Sequence, residues 1–217
     1  MNKIILVDDH SLFREGIKLL IENENLGRII AEADNGQDFL DLLPTHQPDL
    51  VIMDIEMPVL NGLEATRQAI LANPDLKILI LTMLNDKTNY QELVNAGAMG
   101  FVLKTSGKQD FEKAIQAISL GGNYFSSEIL RQIIVQQHQN TSTNTTALSI
   151  SNTQFTAREN EVLQLLCKGL SVTEIADKLF LSAKTIESHR STLLKKTNSK
   201  NTINLILFAF KNKLAEL

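Results

Sequence analysis

The sequence holds a single cysteine, Cys167, so no internal disulfide framework can staple the chain and its stability must come from buried apolar surface. No apolar run approaches the roughly twenty residues needed to cross a bilayer. The first residues also lack the apolar stretch and small-residue cleavage site of a secretory signal, so a cytoplasmic protein with no membrane partner is expected. Residues 136–154, QQHQNTSTNTTALSISNTQ, contain no glycine, no proline, no acid and no strong base, and too little apolar surface to fold alone. They read as a flexible tether, with a long exposed loop inside one domain as the bland alternative.

What is present supports folded domains. The 217 residues are 43% hydrophobic, enough for one large core or two smaller ones. The formal charge of −4 hides an asymmetry: residues 1–130 carry 10 Lys and Arg against 19 Asp and Glu, while residues 150–217 carry 10 against 6. Opposite signs suggest different partners, with nucleic acid the candidate for the second half, although so modest an excess also suits an ordinary soluble surface.

In the first half, short apolar runs alternate with segments of helical spacing. Lys3–Val7, Ile29–Ala33, Leu50–Met53, Lys77–Leu81 and Gly100–Leu103 read as strands, and Phe13, Ile17 and Leu20, or Phe111, Ala114, Ile115 and Ile118, as helix faces. This alternation predicts a doubly wound α/β domain with a five-stranded parallel sheet. In such a fold the carboxyl ends of the strands share one crevice.

Those ends carry Asp8 and Asp9, Asp54, Thr82 and Lys104. Three carboxylates crowded together are costly unless a cation joins them, and oxygen-only ligation favours magnesium. Asp54 is then a candidate nucleophile toward a phosphoryl group. Asp8 and Asp9 would hold the metal directly or through water, the backbone carbonyl of Glu56 would complete its sphere, and Lys104 and the Thr82 hydroxyl would meet phosphoryl oxygens. Taken singly, each residue has a plainer role as a cap, a turn residue or a solvated charge. Pro58 most simply shapes the loop after Asp54, and Asn61-Gly62 permits a tight turn before the next helix.

Residues 3–125 resemble the receiver domain of bacterial two-component response regulators, through LVDDH, VIMDIEMPVLNG, LTM and GFVLK. The resemblance implies a flavodoxin-like strand order and phosphorylation of Asp54 by a sensor histidine kinase. It also implies that Thr82 and Phe101 form a switch pair, the hydroxyl moving toward the phosphoryl group and the ring turning inward; read alone, Phe101 is equally a core aromatic. Two positions depart from the family pattern. Thr105 stands where many receivers have proline, and the bulky Met83 stands where many have a small residue, which would narrow access to the phosphoryl group. Glu56 and Leu84 occupy loop positions expected to influence water access.

Residues 155–217 carry a different signature. Thr156 to Glu159 and Ser171 to Glu174 each fit a capping box, Gly169 ends the first helix, and Ser182 is a third N-cap candidate. A short helix, a tight turn and a longer helix follow the order of a helix-turn-helix. On the longer helix Ile186, His189 and Leu193 share an inward face, while Lys184, Ser188, Ser191 and Lys195 face outward with Glu187 and Thr192 on the flanks. A small hydroxyl-bearing face bracketed by lysines can enter a major groove. Lys195 and Lys196 could also be only a solvated face.

FTARENEVLQLLCKGLSVTEIADKLFLSAKTIESHRSTLLKK resembles the LuxR-type four-helix DNA-binding domain, and the whole chain is similar to the NarL/FixJ group of response regulators. The resemblance implies a receiver at 1–125, a helix extension and flexible linker at 126–154, and a separate all-α helix-turn-helix domain at 155–217. It implies a recognition helix at Thr185–Lys196 with Lys184, Thr185, Glu187, Ser188, Ser191 and Lys195 at the DNA. Glu187 replaces a lysine found in other members and could accept from cytosine. Thr197-Asn198 replaces the usual leucine-glycine, Asn198 being able to take a left-handed turn. The expected protein is a phosphorylation-controlled transcriptional regulator that promotes only its own phosphorylation and dephosphorylation. Its expected partners are a kinase, double-stranded promoter DNA, a second copy of itself when active and, as a further possibility, RNA polymerase. Two rivals stand beside it: a receiver-bearing DNA-binding protein indifferent to phosphorylation, and a phospho-dependent protein-interaction module that binds no DNA.

Overall fold

The computed structural model describes residues 2–83, 90–126, 128–129, 132–133, 155–199 and 201–215. The chain divides into two compact units, Met1–Ser126 and Ser127–Leu217. The tether expected at 136–154, and Leu84, lie outside the described residues.

The first unit runs β1 (Lys3–Val7), α1 (Ser11–Asn23), β2 (Arg28–Ala33), α2 (Gly36–His46), β3 (Leu50–Asp54), α3 (Gly62–Ala72), β4 (Ile78–Thr82), α4 (Tyr90–Ala96), β5 (Gly100–Leu103), α5 (Lys108–Ser119) and β6 (Tyr124–Phe125). All strand pairs are parallel, in the order β2-β1-β3-β4-β5-β6. The five expected strands are present in the flavodoxin-like order. A sixth, two residues long and paired with β5, was not expected from the sequence, because YF is too short to show a period.

The sheet is buried on both faces, which is why its strands are continuously apolar rather than alternating. Ile4, Leu6, Leu50, Ile52, Leu79 and Leu81 pack with Ile17 and Ile21 of α1 and with Phe111, Ala114, Ile115 and Ile118 of α5. Their neighbours Ile5, Val7, Val51, Met53, Ile78 and Ile80 are fully buried as well, and by the two-residue period they serve the opposite face. There α2, α3 and α4 contact one another in chain order.

The second unit contains α6 (Ala157–Cys167), α7 (Val172–Leu179), α8 (Ala183–Thr197) and α9 (Thr202–Lys211). The two expected capping boxes are both closed: Thr156 and Glu159 exchange hydrogen bonds at the start of α6, Ser171 and Glu174 at the start of α7. Ser182 caps α8 through the Thr185 amide, and Asn198 ends it in the left-handed conformation at φ 51°. Val162, Leu163, Ile175, Ile186, Leu193, Ile203 and Leu205 are fully buried and form the core of this unit. Burial pushes the Cys167 thiol up to about 12, which suits an inert core residue. No helix among the described residues is long and apolar enough to cross a membrane.

Candidate functional site

Strand register builds the crevice. Val7 pairs with Met53, Asp54 with Leu81, and Thr82 with Leu103, so the residues at or just beyond these positions, Asp8, Asp54, Thr82 and Lys104, emerge side by side. The turn that leaves β3 requires glycine: a Cβ on Gly62 would stand 2.0 Å from the Asp54 carbonyl oxygen. Asn61 caps α3 by accepting from the Glu64 amide, as the Asn-Gly pair suggested.

Asp8, Asp54 and Thr82 are all at least 96% buried, with exposures of 0%, 4% and 2%. The Lys104 ammonium bridges the two carboxylates, 2.6 Å from Asp8 Oδ2 and 2.8 Å from Asp54 Oδ2. Burial pushes the Asp54 carboxyl above its ordinary range, and Lys104 only partly opposes that. Burial acts on Lys104 to weaken its ammonium, but the bonds to Asp54 and Asp8 together hold it above the ordinary lysine value. Asp54 Oδ1 accepts from the Ile55 amide at 2.8 Å, which orients the carboxylate. Asp8 Oδ2 is buried and meets the Lys104 ammonium, and its second lone pair is left for a hard cation.

Asp8, Asp9, His10 and Asp54 each offer one donor atom, all within 4.8 Å of one another. His10 was not among the residues expected from sequence; its Nδ1 lies 2.8 Å from Asp9 Oδ1 and 3.2 Å from Asp8 Oδ1. The signal that could have found it is its adjacency to the two aspartates. Glu56 lies in the bend after β3, two residues past Asp54.

Two further side chains brace the site, and neither has a local sequence signal. The Arg14 guanidinium donates to the Asp8 carbonyl and pairs with Asp34 at 2.7 Å. Phe13 lies under Lys104, the ammonium 4.9 Å from the ring centroid. The Thr82 hydroxyl donates to the Met83 carbonyl at 2.9 Å. Met83 is 56% exposed and, with His10, Leu12, Phe13, Lys104 and Thr105, lines a cavity of about 610 Å³ beside the crevice. Phe101 is fully buried, edge-on to Tyr90 at 5.9 Å and tilted against Phe125 at 5.3 Å. Its ring points inward, while the hydroxyl of its expected switch partner is held by the Met83 carbonyl.

On α8, Lys184, Ser188, Ser191 and Lys195 are exposed and Ile186 and Leu193 are buried, the division expected from helical angle; His189 is half-buried. Thr185 is partly occupied by the cap, its hydroxyl 2.8 Å from that of Ser182. Glu187 pairs with Arg190 at 2.8 Å, a partner that would compete with any base. Lys196 is exposed and pairs at 2.7 Å with the capping-box carboxylate of Glu159, tying the end of α8 to the start of α6.

That pair makes a stability prediction. The hydrogen bond from Lys196, then that from the Thr156 amide, lowers the Glu159 carboxyl below its ordinary value. Glu159→Gln is expected to destabilise the second unit by about 1–3 kcal/mol at neutral pH, read from the corresponding urea transition of the full chain. A carboxyl depressed in the folded state stabilises above its unfolded value and loses that contribution as pH falls through the folded one. The gap between wild type and variant should therefore shrink on acidification; a gap independent of pH would reject the pairing as its source.

Residues 4–116 match the family described as the response regulator receiver domain, and residues 153–209 match the LuxR family of bacterial regulatory proteins. The response regulator GacA of Pseudomonas aeruginosa is 32% identical over 217 residues, covering 100% of this chain and 99% of its own. The transcriptional regulatory protein DegU of Brevibacillus brevis is 30% identical over 97% of this chain and 93% of its own. A structure of the two-component response regulator RcsB in complex with DNA is similar across 96% of this chain and 98% of that one, at 25% identity and a TM-score of 0.57. A LuxR-family response regulator from Aurantimonas is similar over 64% of this chain and 99% of its own, at 34% identity and a TM-score of 0.60.

Proposed function

The chain belongs to the response regulators that join a receiver to a LuxR-type helix-turn-helix module, and from this premise we propose how its residues divide the work. Membership makes it a phosphorylation-linked transcriptional regulator whose only catalysis is its own phosphorylation and dephosphorylation. In the proposed division, residues 1–125 receive the phosphoryl group, 126–154 connect, and 155–217 bind DNA. The observation that carries the phosphoacceptor assignment is the single buried ammonium of Lys104 shared by Asp8 and Asp54.

Asp54 is the nucleophile, its carboxylate held by the Ile55 amide so that one oxygen can attack phosphorus. Asp8, Asp9 and Asp54, with the Glu56 carbonyl, would hold magnesium, and the closeness of the three carboxylates supports that role. When bound, the ion supplies positive charge against the incoming phosphoryl oxygens. Lys104 transfers its attention from the Asp54 carboxylate to those oxygens, where negative charge develops. Thr82 leaves the Met83 carbonyl and donates to the same group, which removes a constraint on the chain leading into α4 and lets the packing of Phe101 against Tyr90 respond. Met83 and His10 narrow the approach from the neighbouring cavity.

The phosphodonor is a sensor histidine kinase, and the output is a homodimer on double-stranded promoter DNA in the cytoplasm, where RNA polymerase is the next partner. Lys184, Thr185, Glu187, Ser188, Ser191 and Lys195 read or position the duplex; the exposure of Lys184, Ser188, Ser191 and Lys195 on one face of α8 supports this. Two modules on paired half-sites bind more tightly than one because the second meets its site at high local concentration. Coupling of about 1–3 kcal/mol between phosphorylation and DNA binding would change affinity about 5–150-fold. Titrating a duplex selected by the chain from a random-sequence library, with and without the acyl-phosphate mimic beryllofluoride, measures this directly. Equal affinities would leave a DNA-binding protein indifferent to phosphorylation.

A further inference from the structure

The turn between α7 and α8 places an aromatic ring where the fold has no use for one. Phe180 ends α7 in the left-handed region, at φ 54° and ψ 45°, and is 94% exposed. A bulky side chain meets steric resistance in that conformation which glycine avoids and asparagine tolerates better. Among the described residues Asn25, Gln47, Val59, Asn198 and Lys213 also take positive φ, as do Gly97, Gly121 and Gly169, and none of these carries an aromatic ring. Phe180 is thus strained and solvated at once, and its exposure leaves little packing to offset either. Such an outlier points to a function outside the unit's own core.

The surroundings of the turn favour one occupant. Lys178 and Lys184 flank it and are exposed, and Arg158 donates to the carbonyl of Leu179, the residue before Phe180, at 2.9 Å. Of the nearby acids, Glu161 is paired with Arg158 and Glu187 with Arg190, while Asp177 is exposed. Capped by Ser182, α8 begins three residues after Phe180 and turns its amide dipoles toward the same end. In a helix-turn-helix the recognition helix enters the groove by its N-terminal residues while the helix before it crosses the backbone. The turn joining them therefore lies at the groove rim, over a sugar–phosphate strand. There the cations face phosphates, and a ring can bury itself against deoxyribose C–H groups or a thymine methyl.

We infer that Phe180 is an apolar contact to duplex DNA at the rim of the groove, adding affinity that does not depend on charge. The inference rests on the DNA-binding reading above and names a residue outside its polar face. Its test uses the full chain and a duplex that the wild-type chain selects from a random-sequence library, with Phe180→Gly and Phe180→Asn as variants that suit the left-handed backbone. Both should keep or raise the Tm and weaken binding about tenfold. The slope of log affinity against log salt should stay at its wild-type value, whereas Lys184→Ala should lessen it by about one. Wild-type affinity in both variants overturns the inference, as does a loss accompanied by a lower Tm or a shallower salt slope. Unchanged affinity with a loss of transcription in a purified polymerase reaction also overturns it and assigns the ring to a protein partner. If the wild-type chain itself selects no duplex, it is the DNA-binding reading that fails.

Discussion

Asp54→Asn is expected to abolish phosphoryl incorporation from a histidine kinase or a small acyl phosphate, and with it any donor-induced change in DNA affinity. The substitution preserves shape, and the amide oxygen can still accept from the Ile55 amide at the place where Asp54 Oδ1 now lies. What it removes is the anionic oxygen that attacks phosphorus. The fold should survive, because burial already disfavours the charged carboxylate and pushes its pKa up. The sign of the pH dependence follows. A carboxyl that binds its proton more tightly in the folded state weakens folding as pH rises from the unfolded carboxylate range through the folded value. The variant lacks that loss, so its stability relative to wild type should improve as pH rises from the ordinary carboxylate range, read by urea denaturation. Residual label on the variant chain, or a donor-induced affinity change that persists in it, would move the phosphoacceptor elsewhere.

Lys104→Met should be the most destabilising of the crevice substitutions. Its ammonium is 9% exposed and lies within 2.8 Å of carboxylate oxygens from both Asp8 and Asp54, which are themselves buried. Removing it leaves those two carboxylates facing each other without a counter-charge from this side chain, a change worth about 3–5 kcal/mol at neutral pH in a chelating buffer. The loss should narrow in acid, where a carboxyl can take a proton, and narrow on addition of magnesium, which would bind the carboxylates of Asp8, Asp9 and Asp54. Phosphoryl incorporation should fall about 100–1,000-fold even where stability is restored, since a donor aimed at developing charge has gone. Comparing urea midpoints across pH and magnesium concentration separates the two effects. A variant as stable as wild type in chelator would show that the crevice does not need this lysine to hold its charges.

The opening pair of aspartates was legible because of what precedes it. Four apolar residues with no alternation, Ile4 to Val7, place a strand in the middle of a parallel sheet, and a polar residue at its end must then sit at the crevice. The capping boxes at Thr156 and Ser171 were legible for a similar reason: all their partners lie within three residues. His10 was missed although it adjoins the aspartates, because adjacency along a chain does not say where an imidazole points. Arg14 was missed because its partners, Asp8 and Asp34, become neighbours only when β1 and β2 pair. Lys196 was read as an outward-facing cation, and helical angle has no means of assigning it to Glu159, 37 residues earlier.

The two-part organisation, the five principal strands, the four helices between Ala157 and Lys211 and the set of residue types at the strand ends were legible in the chain, since each depends on patterns spanning a few residues. Which groups touch was settled by packing. Strand register brings Lys104 to Asp54 across 50 positions, helix packing gives Glu159 to Lys196, and the conformation of one turn leaves Phe180 in water. The physical reason is range. Secondary structure and caps answer to neighbouring residues, whereas ion pairing and exposure answer to distances that arise only after the sheet has paired and the helices have packed.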